Sequence, residues 1–239
     1  MVRSSGGHRV GTDSKKIGLI GGLAFRAGVF YYDQIQRRYA AQQRPLDLVL
    51  AHADVSTVLA CVAAGDKTGL GRYLGGIANG LFDAGAELVA ITAIAPHLAI
   101  DEIARVARGP IVNVLDAVPT RLKMAGYDRV AVFGNRAVME TGVFGTVPAD
   151  AHVALRPLML DDVHTTYTDI ALHGKRGTQP EFDFLESAAH ELVDREGAQA
   201  IVLAGTDLSS FYAEKPPSFR CLDLAHLHID MLIEAAQQP

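Results

Sequence analysis

Cysteine is scarce in this sequence. Cys61 and Cys221 are the only two among 239 residues, far apart and in neither redox-like nor zinc-like spacing, which argues against a disulfide framework. They read as small hydrophobic core residues. Basic excess is missing as well: 22 Lys and Arg face 27 Asp and Glu, a formal charge of -5, so nucleic acid is not expected as a partner. Long apolar runs are also absent. The longest weakly charged stretch, 88–100, is too short to span a bilayer and contains Pro96 and His97, so no membrane partner is expected. The first 14 residues are polar and glycine-containing where a signal peptide needs an apolar centre, and the expected location is cytoplasmic. Neither a dinucleotide Gly-x-Gly-x-x-Gly fingerprint nor a Gly-x-x-x-x-Gly-Lys-Ser/Thr phosphate loop is complete, and Ser209-Ser210 lacks the glycines of a nucleophile elbow. His226 and His228 are two positions apart, which a helix does not place on one face, so no metal site is expected.

What is present is a folded-domain composition, 49% apolar and 21% charged, long enough for a substantial core. Apolar strand segments alternate with helical ones. Strands are predicted at 15–22, 46–53, 87–94 and 111–115, with helices at 26–40, 70–84, 98–107 and 117–125. Gly75, Gly76 and Gly80 weaken the second of these helices. A comparable series follows, with strands at 129–134, 152–156 and 198–205 and helices at 137–143, 162–172 and 181–195; 175–180 reads as a connection. Phe182, Leu185, Ala189 and Leu192 share a face of the 181–195 helix. A final strand (219–222) and helix (224–236) are placed to cross back to the first half. The fold class is therefore α/β, two pseudo-symmetric lobes, each a parallel sheet flanked by helices. The expected lobes are 15–115 with 220–239, and 116–219. Ligands of such sheets meet the loops at the carboxyl ends of strands, so those beginning at Gly21, Ala53, Ala93, Gly134 and Gly205 become the expected pocket walls.

Several short segments in this order carry a resemblance to one family. Lys16-Ile-Gly-Leu-Ile-Gly-Gly-Leu23 opens the chain, with Tyr31-Tyr32 in the next helix. Ala51-His-Ala-Asp54 forms an acidic loop, Ala93-Ile-Ala-Pro-His97 precedes Asp101-Glu102, Ala204-Gly-Thr-Asp207 follows in the second half, and Asp223 and His228 lie near the end. The chain resembles the aspartate/glutamate racemase superfamily over 15–236. The resemblance implies two lobes with a small carboxylic acid between them, no organic cofactor or metal, and a homodimer. It also implies two opposed thiols, one removing the proton beside a carboxylate and the other delivering a proton to the opposite face. Those thiol positions fall on Ala93 and Gly205, neither of which can ionise. The chain is a divergent member of this pattern that lacks both catalytic cysteines, and Cys61 and Cys221 lie elsewhere.

Chemistry must then rest on other side chains. His97 is the expected acid/base, since imidazole exchanges a proton near neutrality; its alternative is a structural hydrogen bond. Asp54 could orient a base or hold a substrate amine, or cap the turn that runs through Ser56 and Thr57. Asp207 could accept a proton or orient His228, while Gly205 and Thr206 could cradle a carboxylate. Arg26 has the planar fork that grips a carboxylate through two bonds, although a solvated helix position suits it equally. Asn135 and Arg136 occupy the matching turn of the second lobe, and Lys175 reads as surface charge. Leu23, Thr57, Ala93, Ile94 and Ala95 complete the expected substrate wall. The apolar Ala93-Ile94-Ala95 segment predicts a less polar pocket and a substrate with an apolar or aromatic part. The expected function is an isomerase or lyase acting on a small carboxylic acid by cysteine-independent proton transfer. A non-catalytic small-carboxylate-binding protein and an amino-acid racemase with a relocated base are the alternatives.

Overall fold

The computed structural model of the chain describes residues 14–24, 26–173 and 177–238. The first lobe runs β1 (Ile17–Gly21), α1 (Ala27–Ala41), β2 (Leu48–His52), α2 (Val55–Ala63), α3 (Lys67–Asp83), β3 (Leu88–Ile91) and, after a 3-10 turn at Ala95–Ala99, α4 (Ile100–Val106). A second 3-10 turn, Val114–Ala117, leads to α5 (Val118–Ala125), β4 (Val130–Gly134), α6 (Arg136–Glu140), α7 (Gly142–Gly145), α8 (Pro157–His173), α9 (Gln179–Asp194), β5 (Ala200–Ala204), α10 (Thr206–Tyr212), β6 (Cys221–Asp223) and α11 (Leu224–Gln237).

The strands form two three-stranded sheets, ordered β2-β1-β3 and β4-β5-β6, and every pairing is parallel. β1, β4 and β5 are buried along their whole length. That is why they read as unbroken apolar runs: helices cover both faces of a parallel sheet. The glycines of α3 serve its packing against α4. A Cβ on Gly71 would come within 2.5 Å of the Glu102 Cβ and one on Gly75 within 2.6 Å of the Val106 Cβ, whereas Gly76 and Gly80 face open space. Close helix approach thus offsets the propensity that glycine costs a helix.

The structure corrects several expected elements. The strand expected at 111–115 is one parallel bridge between Ile111 and Val89; the Val112 carbonyl then accepts from His228, and Asn113 caps a 3-10 turn. The strand expected at 152–156 is likewise one bridge, His152 to Val130, because Pro157 opens α8 directly afterwards. The helix expected at 137–143 is split into α6 and α7, with Val143 and Phe144 left-handed at φ 55° and 58°. Helix α2 was not expected: its apolar run lacks helical periodicity, and Asp54 starts it by accepting from the Thr57 backbone N–H. The expected connection at 175–180 ends early, since α9 begins at Gln179; Lys175 lies outside the described residues.

The terminal strand does not cross to the first lobe. β6 pairs with β5, Val202 opposite Leu222. The terminal helix does cross: Ile229, Leu232, Ile233 and Ala236 pack with Ile17, Leu19, Tyr31 and Ile35 in the first-lobe core. Leu224 and Leu227, at the start of the same helix, belong to the second-lobe core.

Candidate active site

The two lobes meet where β3 and β5 end, and polar side chains stitch the seam. Thr92, just past β3, donates its hydroxyl to the Ile20 carbonyl at 3.0 Å. Thr206, opening α10, donates its own hydroxyl across the lobes to the Thr92 carbonyl at 3.0 Å. Behind them, the His228 Nε2 lies 2.9 Å from the Val112 carbonyl and its Nδ1 lies 2.9 Å from the Tyr31 hydroxyl. A carbonyl can only accept, so Nε2 carries the hydrogen and the Tyr31 hydroxyl donates to Nδ1. Burial, helped by neighbouring His97, pushes His228 down to about 3. Both nitrogens of His228 are therefore engaged by groups other than Asp207.

His97 is 1% exposed. Its Nδ1 lies 2.9 Å from the Ala93 carbonyl and 3.2 Å from that of Ile94, so Nδ1 is the protonated nitrogen and closes its own 3-10 turn. The Nε2 is buried with no hydrogen-bond partner among the described residues, and burial pushes the imidazole down to about 4. His97 is thus a neutral ring built into the wall, packed edge-on to His228 at 5.4 Å between centroids.

Asp207 differs from both histidines. It sits in the first turn of α10, 3% exposed. Burial pushes its carboxyl up to about 7, against the pull of its own and the Arg26 backbone N–H groups and of the Arg26 charge. Asp207 and Arg26 line a cavity of about 620 Å³ together with Phe30, Ile170, Phe182 and Phe211. Other charges on this wall are already engaged: Arg37 pairs with Asp33 at 2.8 Å, and the Lys215 ammonium lies 3.4 Å over the Phe182 ring. A buried carboxyl raised toward neutrality, a guanidinium and aromatic side chains thus share one cavity.

Of the residues nominated from sequence, Arg26 and Asp207 line this cavity, whereas Asp54, Ala93, Asn135 and Thr206 do not. Asp54 is exposed and caps α2, accepting from the Thr57 N–H at 2.8 Å and from the Ser56 hydroxyl; these bonds, Ser56 foremost, hold its carboxyl below the usual range. Leu23 is buried beside Ile20, Ala53 and Val58. Ile94 is 1% exposed and packs into the second-lobe core, with Ala93 and Ala95 half-buried on either side; its apolar character serves the lobe junction. Asn135 caps α6 by accepting from the Val138 N–H at 3.1 Å. Arg136 is exposed and held by Glu140 and Asp161. Gly205 is buried and has Tyr167 of α8 directly above it. Among the described residues no group of three His, Cys, Asp or Glu converges that could hold a metal ion.

Sequence reasoning missed the aromatic wall of Phe30, Phe182 and Phe211, because these residues stand on helices, outside the strand-end loops.

A fold of paired parallel-sheet lobes with this seam defines a class, and comparison with known proteins names it. Residues 20–232 match the model of the Asp/Glu/hydantoin racemase family, and the chain belongs to that family. It does so without the thiol pair: its two cysteines are free, Cys61 on α2 and Cys221 on β6. Among solved structures it is similar to an aspartate racemase homologue from Pyrococcus horikoshii OT3, at 22% identity over 94% of this chain and 100% of that one, TM-score 0.76. It is also similar to the aspartate racemase of Picrophilus torridus, at 19% identity over 94% and 95%, TM-score 0.72. The glutamate racemase of Thermus thermophilus aligns at 17% identity over 94% and 81%, TM-score 0.59.

Proposed function

We propose that this chain is an isomerase or lyase for a small carboxylic acid that moves its proton without a thiol. One observation carries the reading: Asp207, a buried carboxyl poised to titrate at about 7, shares a cavity wall with Arg26. Arg26 grips the substrate carboxylate. Ionised Asp207 takes the proton from the adjacent carbon, and the electron pair of the broken C–H bond spreads onto the carboxylate held by Arg26. Protonated Asp207 then returns its proton to that carbon or to a departing group. A carboxyl that titrates near the working pH suits both halves of such a cycle. Phe30, Phe182 and Phe211 receive an apolar or aromatic part of the acid. His97, neutral and turned into its own turn, holds the wall.

The test is solvent exchange. The purified protein is incubated in D₂O with both enantiomers of small amino, hydroxy and aryl acids, and NMR follows the proton beside the carboxylate. Exchange or turnover is expected for at least one acid, with Asp207→Asn losing the chemical step and Arg26→Gln weakening affinity. Saturable thermal shifts with neither exchange nor turnover would instead make this a carboxylate-binding protein.

A further inference from the structure

Lys215 is set over an aromatic ring and held there. Its ammonium lies 3.4 Å from the centroid of the Phe182 ring, and both residues line the Arg26–Asp207 cavity. The ring is fixed on α9 by Phe211, stacked at 6.0 Å between centroids, and by Tyr212, edge-on at 5.6 Å. The lysine sits in the segment 213–220 between α10 and β6, which Pro216 and Pro217 stiffen,. That segment is pinned to α9 one turn beyond Phe182. The Ser218 N–H donates to the Glu186 carboxylate at 3.0 Å and the Ser218 hydroxyl donates to it as well, while the His190 Nε2 lies 2.8 Å from that hydroxyl. Ring and cation are thus presented by one scaffold. Among the described residues no carboxylate lies within ion-pair distance of the Lys215 ammonium. Asp33, on the same cavity wall, is taken by Arg37.

We infer that Lys215 is a specificity-determining residue of this cavity, its ammonium selecting an acid whose far part is an aromatic ring. The ligand ring lies against the cation that Phe182 already supports, while the carboxylate goes to Arg26. A cation attracts the negative face of an aromatic ring and has no such attraction for a saturated ring of the same size. Burial of apolar surface alone would not separate the two. A second carboxylate suits this wall less well, since Glu214 and Asp33 line the same cavity and carry the like charge. A neutral ring meets no such repulsion.

The inference rests on the proposed function for the carboxylate end, and it is tested by binding, not turnover. Phenylacetate and cyclohexylacetate, an aromatic acid and its saturated counterpart, are titrated calorimetrically into the native protein, Lys215→Met and Lys215→Arg. Methionine keeps the apolar stem and drops the charge. The native protein is expected to bind phenylacetate about fivefold tighter than cyclohexylacetate. The preference should vanish in Lys215→Met and persist in Lys215→Arg, whose guanidinium also stacks on rings. A second readout follows the lysine itself, with lysines reductively ¹³C-dimethylated, which keeps their charge, and the Lys215 signal assigned by its loss in Lys215→Met. That signal should lie upfield in the free protein because of the Phe182 ring, and phenylacetate but not cyclohexylacetate should move it further. Equal affinities in the native protein, or a preference that survives Lys215→Met, overturn the inference. So does succinate losing more affinity than phenylacetate in Lys215→Met, which would make the lysine a partner for a second carboxylate. Binding of neither ring acid overturns it too, and solvent exchange of any other acid would then leave the proposed function standing. A Lys215-dependent aromatic preference with no exchange for any acid does the reverse.

Discussion

Asp207 is harder to ionise in the folded protein than in the unfolded chain, where a carboxyl titrates near 3.8. From that value up to about 7 the native state keeps a proton that the unfolded state has released. Stability is therefore lost as pH rises through this window and stays low above it. Asp207→Asn removes the penalty while its amide oxygen still accepts from the backbone. The variant is expected to be the more stable protein at about pH 8, by up to about 4 kcal/mol, with the advantage fading toward about pH 4. Urea unfolding at both pH values checks this, and equal stability throughout would mean that the carboxyl is not forced to ionise in a dry site. Activity should move oppositely, with turnover of the native protein falling as pH drops below about 7, because protonated Asp207 cannot act as base. His97 has the reverse linkage. Its folded-state value of about 4 lies below the ordinary 6.5, so stability is complete above about 6.5 and is lost as pH falls toward 4. His97→Gln should flatten the acid limb by about 1.4 kcal/mol per pH unit across that window, and an unchanged slope would refute a buried neutral ring. At this scale the place of Asp207 on the cavity wall was legible because it follows a recognisable strand-end loop. The role of His97 was not, because a histidine in such a loop looks the same from sequence whether its Nδ1 faces a substrate or the carbonyls of its own turn.

Helices α3 and α9 give opposite lessons in what one side chain does to an element. On α3, alanine at Gly76 or Gly80 enters open space and should stabilise by up to about 1 kcal/mol through helix propensity. Alanine at Gly75 meets the Val106 Cβ at 2.6 Å and should cost about 1–3 kcal/mol as α3 is forced off α4. Thermal melts of the three variants check the sign; a stabilising Gly75→Ala would show that the α3–α4 contact gives way easily. On α9, Thr178 and Glu181 cap one another reciprocally, the Thr178 N–H donating to Glu181 at 2.6 Å and the Glu181 N–H to the Thr178 hydroxyl at 3.4 Å. Thr178→Ala should cost about 1 kcal/mol. Because Thr178 also lines the cavity, its loss should loosen ligand binding along with the helix end. Elements with clear periodicity, such as α9 and α11, could be read from the sequence within a few residues. The segments at 111–115 and 152–156 could not be read correctly, since β-branched apolar composition does not reveal that a chain makes one bridge and leaves. Only tertiary partners, His228 on the Val112 carbonyl and the immediate start of α8, decide that.

The two-lobed architecture was legible as a whole, since alternation of strand and helix leaves few topologies for a parallel sheet. The lobes are joined by the end of the chain: α11 packs into the first-lobe core, whereas β6 stays in the second sheet. β6 and α11 are consecutive, so the chain is anchored in the second sheet at Leu222 and within about two helical turns is buried in the first-lobe core at Ile229 and Leu232,. The lobes should melt as one unit, with the calorimetric and van't Hoff enthalpies agreeing and circular dichroism tracing the same transition. Two resolved transitions would contradict this coupling. The same helix limits how the molecule can breathe. Swinging one lobe away from the other would have to expose Leu224 and Leu227 on one side or Ile229 and Leu232 on the other, so a wide hinge motion carries much of the cost of unfolding. Ligand traffic at the Arg26–Asp207 cavity is left to the rim side chains, whose rotamer changes take picoseconds to nanoseconds, and not to the microsecond-to-millisecond opening of a clamshell.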